Sequence, residues 1–282
     1  MSGVADSAIQ RDSIRLSTPG STDHPVVALA AFIDAIRDSG YRTPAHALAE
    51  LVDNSLEAGA THISIIIRAD GPSGGHTITV VDDGCGMSPS TLQKALQFGG
   101  STRFNARTGT GRYGMGLPCS VLSQARRVDV YSWQSPSRTW WTYLDAPAVA
   151  NGALAHIPAS KQSPRLPTAR STSGTVVVLS DCDRIDFRPS AADNVRQTLG
   201  RIFRRAICRG ASVELNGEAV RPVDPLFRDA THVLVRGKQY GPALEFPVRT
   251  PDGARSIVRI RFAELPVEKL CGLSNREKAD VG

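Results

Sequence analysis

Apolar residues recur at every third or fourth position in two segments near the beginning of the chain. In the first segment these positions are Val27, Leu29, Ala30, Ile33 and Ile36, and Gly40 follows them. The second segment extends from Pro44 to Glu57 and is followed by Gly59. Such spacing places the apolar side chains on one face of a helix, and glycine is typical of a helix end. The sequence therefore predicts two amphipathic helices.

A strand pattern follows these helices. Residues 62–68 and 76–82 are rich in Ile, Val and Thr, and the glycine-rich residues 71–75 between them favour a turn, so we expect a hairpin. Ser88 and Pro89 are typical of the start of a helix, which we expect to end at Gly99. We also expect a short helix over about 117–124 and strands near 128–133, 139–144 and 175–179.

The rest of the chain suggests how it is divided. Residues 1–24 are polar and predict an arm without a core of its own, and residues 146–174, rich in Ala, Pro and Ser, predict a long surface connection. After Pro189 we expect a helix of about 18 residues, a hairpin turn at Asn216 and Gly217, and strands near 232–235 and 257–262. The predicted units are therefore an arm (1–24), a first domain (25–188) and a second α+β domain (189–282), which we expect to be incomplete.

The second predicted helix carries a polar stripe beside its apolar face. Glu50, Asn54 and Glu57 follow each other at i, i+4 and i+7. A carboxylate and an amide one turn apart can hold a water next to a metal-bound phosphate, with Glu50 as general base and Asn54 as an oxygen ligand to Mg²⁺. The alternative is a stripe that only faces solvent.

Two glycine-containing motifs follow. In the first, a predicted strand ends at Asp82 and is followed by Gly84 and Gly86, so that the carboxylate could accept a hydrogen bond from a purine amine; an ordinary turn is the alternative. The second, G-T-G-R-Y-G-M-G over 109–116, precedes a helix, where free backbone amides suit the phosphates of a nucleotide. It also fits the dinucleotide pattern G-x-G-x-x-G, but no hydrophobic strand precedes it, and the P-loop pattern is absent.

Four motifs in this order resemble those of the GHKL ATPases, the class of gyrase, large heat-shock chaperones, histidine kinases, MutL and MORC proteins. E-L-V-D-N-S-L-E-A-G-A resembles their N-box, D-D-G-C-G-M their first glycine box, G-R-Y-G-M-G-L-P their second glycine box and S-G-T-V-V-V-L their threonine motif. The resemblance covers residues 45–180 and is strongest to MutL and MORC-like proteins. It implies an α+β fold, namely a two-layer α/β sandwich (the Bergerat fold) with a mixed sheet and helices on one face, followed by a partial transducer domain.

The resemblance also implies roles for individual residues. Glu50 would activate the attacking water, Asn54 would coordinate Mg²⁺ and Asp82 would bind the adenine amine. The other nucleotide-binding positions it implies are Gly84, Gly86, Met87, Gly111, Gly114, Met115, Gly116 and Thr175. The segment 99–116 corresponds to a lid that closes over ATP, and Lys278 is a candidate for the basic residue that transducer domains supply to the γ-phosphate.

Composition narrows the range of partners. The net charge of +6 and the pI near 9.3 are compatible with an anionic partner, although a merely basic protein is the alternative. No apolar segment reaches the roughly 20 residues of a membrane span, so we expect a cytoplasmic protein that does not bind a membrane. The five cysteines form no C-x-x-C pair and are not matched to clustered histidines, which argues against a zinc site or a disulfide framework.

Together these features predict an ATPase that uses ATP and Mg²⁺ and forms a homodimer when ATP binds, acting as a switch in a DNA-associated system. Two alternatives stay open: a chaperone-like ATPase that acts on protein clients, and a regulator that binds ATP without turnover. A phosphotransferase like the histidine kinases is less favoured, because no upstream helical segment with a phosphoacceptor histidine is visible.

Overall fold

The first two helices follow the apolar periodicity of the sequence. α1 spans Leu29–Ser39 and α2 spans Pro44–Glu57. The Thr43 hydroxyl accepts a hydrogen bond from the His46 N–H, so threonine and the proline after it start α2 as expected for an N-cap. The structure is a computed structural model. It describes residues 27–41, 43–70, 75–100, 113–163, 171–185, 189–224, 226, 237–251 and 253–274.

Within the described residues, eight strands form one mixed sheet. They are β1 (His62–Ala69), β2 (His76–Asp82), β3 (Arg127–Trp133), β4 (Trp140–Asp145), β5 (Lys161–Gln162), β6 (Gly174–Ser180), β7 (Ser212–Leu215) and β8 (Glu218–Ala219). Their order across the sheet is β5-β4-β3-β6-β2-β1-β7-β8. Neighbouring strands are antiparallel except for β1 and β7, which are parallel. The predicted hairpin β1–β2 and the strand that ends at Asp82 are therefore central.

The other described helices are α3 (Pro89–Leu96), α4 (Gly116–Gln124), α5 (Ala146–Ala150), α6 (Pro189–Ile202), α7 (Arg204–Cys208) and α8 (Val267–Cys271). Helices α3 to α7 pack in the layer that covers the sheet, whereas Leu270 of α8 belongs to a separate cluster with Leu265 and Leu273. One core joins side chains of this layer to those of the sheet, among them Ile33, Leu48, Leu92, Leu122, Val149 and Leu199. Among the described helices, none has both the length and the apolar character needed to cross a membrane.

Alternate residues of each strand face this core. Along β1, Ile63 and Ile65 are fully buried, whereas Ile66 on the opposite face is only half-buried. The same alternation holds on β3, where Val128 and Val130 are fully buried. A sheet with one helix-covered face is a two-layer α/β sandwich, which confirms the predicted fold class.

Residues beyond Pro189 take part in the same sheet and core. β7 pairs with β1, with Ile65 opposite Leu215, and Leu215 is fully buried. Asn216 and Gly217 form the predicted turn between β7 and β8, and both have positive φ, at 53° and 80°. The division of the chain into two domains at residue 189 stays a prediction. The β1–β7 pairing joins segments from the two sides of that boundary in one sheet.

A second, two-stranded sheet follows. β9 (Lys238–Arg249) and β10 (Arg255–Glu264) form an antiparallel hairpin, and β10 includes the strand predicted near 257–262. The transducer domain stays a prediction. The predicted arm at 1–24 and the strand near 232–235 lie outside the described residues.

Two sequence predictions are wrong in part. Residues 146–174 are not simply a surface connection, because they contain α5 and β5, and Ala146 is only 2% exposed in the core. The long helix expected after Pro189 is divided into α6 and α7 at Phe203. Phe203 is buried, and its backbone dihedrals depart from those of a helix, so packing of the ring against the core accompanies the break.

The alternation on β1 offers a matched stability test. Ile65→Ala removes a fully buried side chain and should lower the free energy of unfolding by about 2–5 kcal/mol. Ile66→Ala makes the same chemical change on the less buried face and should lower it by less than half as much. Urea unfolding monitored by tryptophan fluorescence gives both values; equal losses would contradict the assignment of the two faces.

Candidate active site

The carboxyl group of Asp82 lies at the end of β2 and accepts three hydrogen bonds. Oδ1 accepts the backbone N–H of Gly84 at 2.9 Å and that of Thr175 at 3.1 Å. Oδ2 accepts the hydroxyl of Ser55 at 3.0 Å. These contacts join β2 to β6 and to α2, and the residue is only 7% exposed. Asp82 is thus fixed in orientation at the centre of the sheet.

The neighbouring carboxyls, Asp82 and Asp83, have opposite pKa shifts. Burial raises the pKa of Asp82, and the hydrogen bonds it accepts offset this only in part. Asp83 accepts the backbone N–H groups of His62 and Thr61, at 2.8 and 2.7 Å, and also the Thr61 hydroxyl. Burial by itself would raise the pKa of Asp83, but these hydrogen bonds outweigh it, so the pKa is lowered. Asp83 therefore stabilises the start of β1 by accepting hydrogen bonds from Thr61 and His62.

The first glycine box passes very close to the ends of β3 and β6. Gly86 has a φ of +67°, and a Cβ atom there would lie 2.0 Å from the carbonyl oxygen of Trp133, so only glycine fits. The next residue, Met87, donates its N–H to the Ser132 hydroxyl oxygen at 2.8 Å. Ser132 also hydrogen-bonds the Thr175 hydroxyl at 3.1 Å. The first glycine box and the threonine motif are thereby held together.

The polar stripe of α2 faces the same region. Glu50 is half-buried, and its Oε2 accepts a hydrogen bond from the Tyr41 hydroxyl at 2.9 Å. Burial, together with the Glu50 carboxylate, raises the pKa of Tyr41, so the phenol stays protonated as a donor. The side-chain nitrogen of Asn54 is buried and finds no hydrogen-bond partner among the described residues.

The described residues of the second glycine box lie next to α2. The carbonyl oxygen of Gly114 accepts a hydrogen bond from the N–H of Gly99 at 3.0 Å. α4 begins at Gly116, and the first N–H groups of a helix lack partners within the helix. A Cβ atom at position 116 would lie 1.9 Å from Oε1 of Glu50, so the helix start contacts the carboxylate directly.

These groups surround one cavity of about 460 Å³. A volume of this size lies within the range of about 300–1,000 Å³ typical of small-molecule sites. The predicted site residues that line it are Glu50, Asn54, Asp82, Gly86, Met87, Gly114, Met115, Gly116 and Thr175. The lining combines an apolar part, including Leu51 and Val130, with carboxyl, amide and backbone groups, which suits a flat heterocycle carrying a charged tail.

Among the described residues, Gly84 is the predicted position that does not line the cavity. Gly84 is buried behind Asp82, where its N–H holds the carboxyl group and a Cβ atom would lie 2.9 Å from Cβ of Ala58. Its contact is therefore with the aspartate. Gly111 and the predicted basic residue Lys278 lie outside the described residues.

Sequence reasoning missed several residues of the site. Tyr41 precedes α2, and nothing in its local pattern indicates contact with a residue nine positions later. The sequence pattern predicts Ser55 only as part of a helix and Ser132 only as part of a strand, although each hydrogen-bonds a group at the cavity. Among the described residues, Lys94 on α3 is the only lysine or arginine that lines the cavity. Ser55 lies five residues after Glu50, and this spacing does not place the two side chains on the same helix face, so the polar stripe does not reveal Ser55 as a site residue.

The cavity residues fit a magnesium nucleotide in their chemistry. Within the described part of the chain, no cluster of three or more His, Cys, Asp or Glu could hold a metal ion by itself. Mg²⁺ in nucleotide sites takes only one or two protein oxygens and completes its shell with phosphate and water. Asn54 lines the cavity, and its side-chain oxygen is a ligand of the kind that Mg²⁺ takes, whereas its buried Nδ2 is a donor that suits an acceptor such as a phosphate oxygen.

The geometry and the sequence together define the class of protein. Residues 41–175 match the family described as "Histidine kinase-, DNA gyrase B-, and HSP90-like ATPase". This range begins at Tyr41 and ends at Thr175, and it contains the predicted site residues from Glu50 to Thr175, whereas the candidate Lys278 lies beyond it. Residues 41–175 therefore match a GHKL ATPase domain, as the resemblance predicted.

The chain is also similar to individual members of two groups of proteins, over shorter segments. The chain is similar to ATPase MORC2 of Homo sapiens, with 47% identity over 73 residues, which is 25% of this chain and 7% of that protein. It is also similar to the DNA mismatch repair protein MutL of Phenylobacterium zucineum, with 40% identity over 104 residues, which is 30% of this chain and 16% of that protein. The chain thus spans a small part of the length of these relatives.

One similar solved structure is described as the N terminal domain of a DNA repair protein. It has a TM-score of 0.44 and 19% sequence identity, and the match covers 81% of this chain and 55% of the other.

The two adjacent aspartates predict opposite effects of pH on stability. The pKa of Asp82 is raised in the folded state from 3.8, so its stabilising contribution is full below pH 3.8 and is lost as the pH rises through the raised value. The pKa of Asp83 is lowered from 3.8, so its contribution is present above that pH and is lost as the pH falls through the lowered value.

Asp82→Asn should therefore gain stability relative to the unmodified chain as the pH rises from about 4 towards neutrality. Asp83→Asn should be destabilised at neutral pH, and its deficit should shrink as the pH is lowered below about 4. Urea unfolding of the three proteins across this pH range measures both differences. If the two variants changed in the same direction with pH, the described environments of the two carboxyls would be wrong.

Proposed function

We propose that this domain binds ATP with Mg²⁺ and hydrolyses it, and that it acts as an ATP-gated dimerisation switch in a DNA-associated system. One observation carries the proposal. Glu50 on α2, Asp82 at the end of β2 and Gly114 and Gly116 of the second glycine box surround a single cavity, although they are far apart in sequence.

The adenine end of the cavity is assigned to Asp82. Oδ2 of Asp82 accepts only the Ser55 hydroxyl among the contacts described, so it has capacity to accept a hydrogen bond from an exocyclic amine. Met87 and the apolar residues Val80 and Val177 line the cavity and would pack against the base. Thr175 supports this end through its N–H to Asp82 and its hydroxyl to Ser132.

The phosphate end is assigned to the second glycine box and α3. Gly114, Met115 and Gly116 border the cavity where α4 begins, and backbone N–H groups at a helix start attract anions. Lys94 lines the cavity from α3 and would offset part of the charge of a triphosphate. The carboxylate of Glu50 also lies at this end, against Gly116.

Hydrolysis then uses Glu50 as general base. The Glu50 carboxylate takes a proton from a water whose oxygen forms a bond to the γ-phosphorus, while the bond between that phosphorus and the β–γ bridging oxygen breaks. The electron pair of the broken bond stays on ADP, and the products are ADP and phosphate. Mg²⁺, held through Asn54, would offset the charge of the phosphate oxygens.

Glu50→Gln tests the catalytic assignment, because glutamine keeps the shape of the side chain but is not a base. The turnover number should fall about 100- to 10,000-fold, whereas the dissociation constant for ATP should change by less than about threefold. Phosphate release and isothermal titration calorimetry measure the two quantities. Glu245→Gln on β9 is the control for the same chemical change far from the cavity, and normal turnover by Glu50→Gln would exclude Glu50 as the base.

Asp82→Asn complements this test from the adenine end. The substitution places an amide nitrogen, which is a donor, where the adenine amine needs an acceptor. ATP binding should weaken by more than about tenfold, since a polar pair is replaced by two opposed donors. Retained folding of the variant separates this effect from general instability.

Two observations support the switch and its DNA association. The matched relatives are named as an ATPase of the MORC type and as a DNA mismatch repair protein. The net charge of +6 agrees with a nucleic acid partner. The alternative is a chaperone-like ATPase, whose client binding would be insensitive to added DNA.

A trapped nucleotide state gives the sharpest test of gating. Glu50→Gln protein with ATP and Mg²⁺ should sediment as a dimer, whereas the same protein with ADP should sediment as a monomer, because only ATP occupies the γ-phosphate position. The ATP-bound protein should also bind DNA, and this binding should weaken steeply as the salt concentration rises. Identical sedimentation in ATP and ADP would contradict the switch but leave ATP hydrolysis intact.

A further inference from the structure

The carboxylate of Glu50 is held between two groups that do not belong to α2. On one side, Oε2 accepts the hydroxyl proton of Tyr41 over a distance of 2.9 Å. On the other side, Oε1 borders the α carbon of Gly116 so closely that a Cβ atom there would lie 1.9 Å away. Both oxygens of the carboxylate therefore have defined neighbours from outside the helix that carries it.

Tyr41 is itself held by α4. Its backbone carbonyl oxygen accepts a hydrogen bond from Nε2 of Gln124 at 2.9 Å. Gln124 is only 3% exposed, and its Nε2 also donates to the Ser123 hydroxyl at 3.0 Å. Tyr41 is thus attached through its backbone to the end of α4 and through its hydroxyl to α2, which fixes the position of the phenol.

The direction of the hydrogen bond is also fixed. Burial and the nearby carboxylate raise the pKa of Tyr41, so the phenol is a donor throughout the neutral pH range. Glu50 must then be the acceptor, because the phenol is the donor of the pair. The contact therefore orients the Glu50 side chain.

We propose that Tyr41 is a positioning residue for ATP hydrolysis, and that its hydroxyl holds the Glu50 carboxylate against Gly116 in the orientation that accepts a proton from water. This inference rests on the proposed role of Glu50 as general base. Tyr41 lines the cavity, and the role assigned to its hydroxyl acts through Glu50. A misplaced base loses rate even when the substrate is still bound, because proton transfer depends on correct geometry.

Tyr41→Phe removes only the hydroxyl oxygen and tests this role. The turnover number should fall about tenfold or more, as expected for loss of one hydrogen bond to a charged group, while the dissociation constant for ATP should stay within about twofold. Tyr143→Phe on β4 makes the same change on the less buried face of the sheet, and its turnover number should equal that of the unmodified chain. Phosphate release and calorimetric titration of ATP provide the measurements.

A double-mutant cycle separates positioning from a general structural effect. Glu50→Asp shortens the side chain and withdraws the carboxylate from Tyr41, so adding Tyr41→Phe to it should change turnover by less than about twofold. If Tyr41→Phe alone turned over ATP at the normal rate, or weakened ATP binding as much as turnover, the positioning role would be overturned. Normal turnover by Glu50→Gln would instead overturn the proposed function, so the two failures are distinguishable.

Discussion

The three hydrogen bonds to the Asp82 carboxyl are the constraint on which the rest of the site depends. They connect the end of β2 to the backbone of β6 and to a hydroxyl on α2, so the sheet and its helix layer meet at one side chain. A buried carboxyl group is unfavourable unless its oxygens accept hydrogen bonds, and even with them burial raises the pKa of Asp82. A ligand that brings a further donor to Asp82 offsets part of that unfavourable burial. The free energy of ligand binding becomes more favourable as a result.

The glycines around Asp82 make this arrangement possible by close approach of backbones. A Cβ atom at Gly86 would meet the Trp133 carbonyl oxygen at 2.0 Å, and one at Gly174 would meet the Asp82 carbonyl oxygen at 2.2 Å. Main-chain atoms of β3, β6 and the first glycine box are therefore in close contact around Asp82. Main-chain atoms in a paired sheet have little freedom to move, so Asp82 has a rigid surrounding.

Local patterns were enough to predict α2 from Pro44 to Glu57, the β1–β2 hairpin and the turn at Asn216 and Gly217. In each case the signal lies within a few neighbouring residues: a cap, an alternation or a turn dipeptide. The motifs also pointed to the residues that line the cavity, because each motif presents its groups at the end of one element. What the sequence could not reveal depends on contacts between distant segments.

Three findings illustrate that limit. The parallel pairing of β1 with β7 joins segments about 150 residues apart, and no local pattern encodes which strand lies beside which. α5 is only five residues long, and its burial depends on β4 and α1, so a segment rich in Ala and Pro looked like a loop. Tyr41 contacts Glu50 only because Gln124, 83 residues away, holds its backbone carbonyl.

The two carboxylates of the cavity show how environment assigns different tasks to similar side chains. Asp82 is surrounded by fixed donors on two strands and a helix, so it is suited to recognise a ligand group of defined position. Glu50 is half-buried and contacts a phenol and the α carbon of a glycine. Because Gly116 begins α4 and also borders Oε1 of Glu50, the placement of this helix start and the orientation of the carboxylate are not independent. Under the proposed function, a movement that carries Gly116 towards a bound phosphate would also act on the carboxylate, and nucleotide binding and activation of water would be linked through this contact.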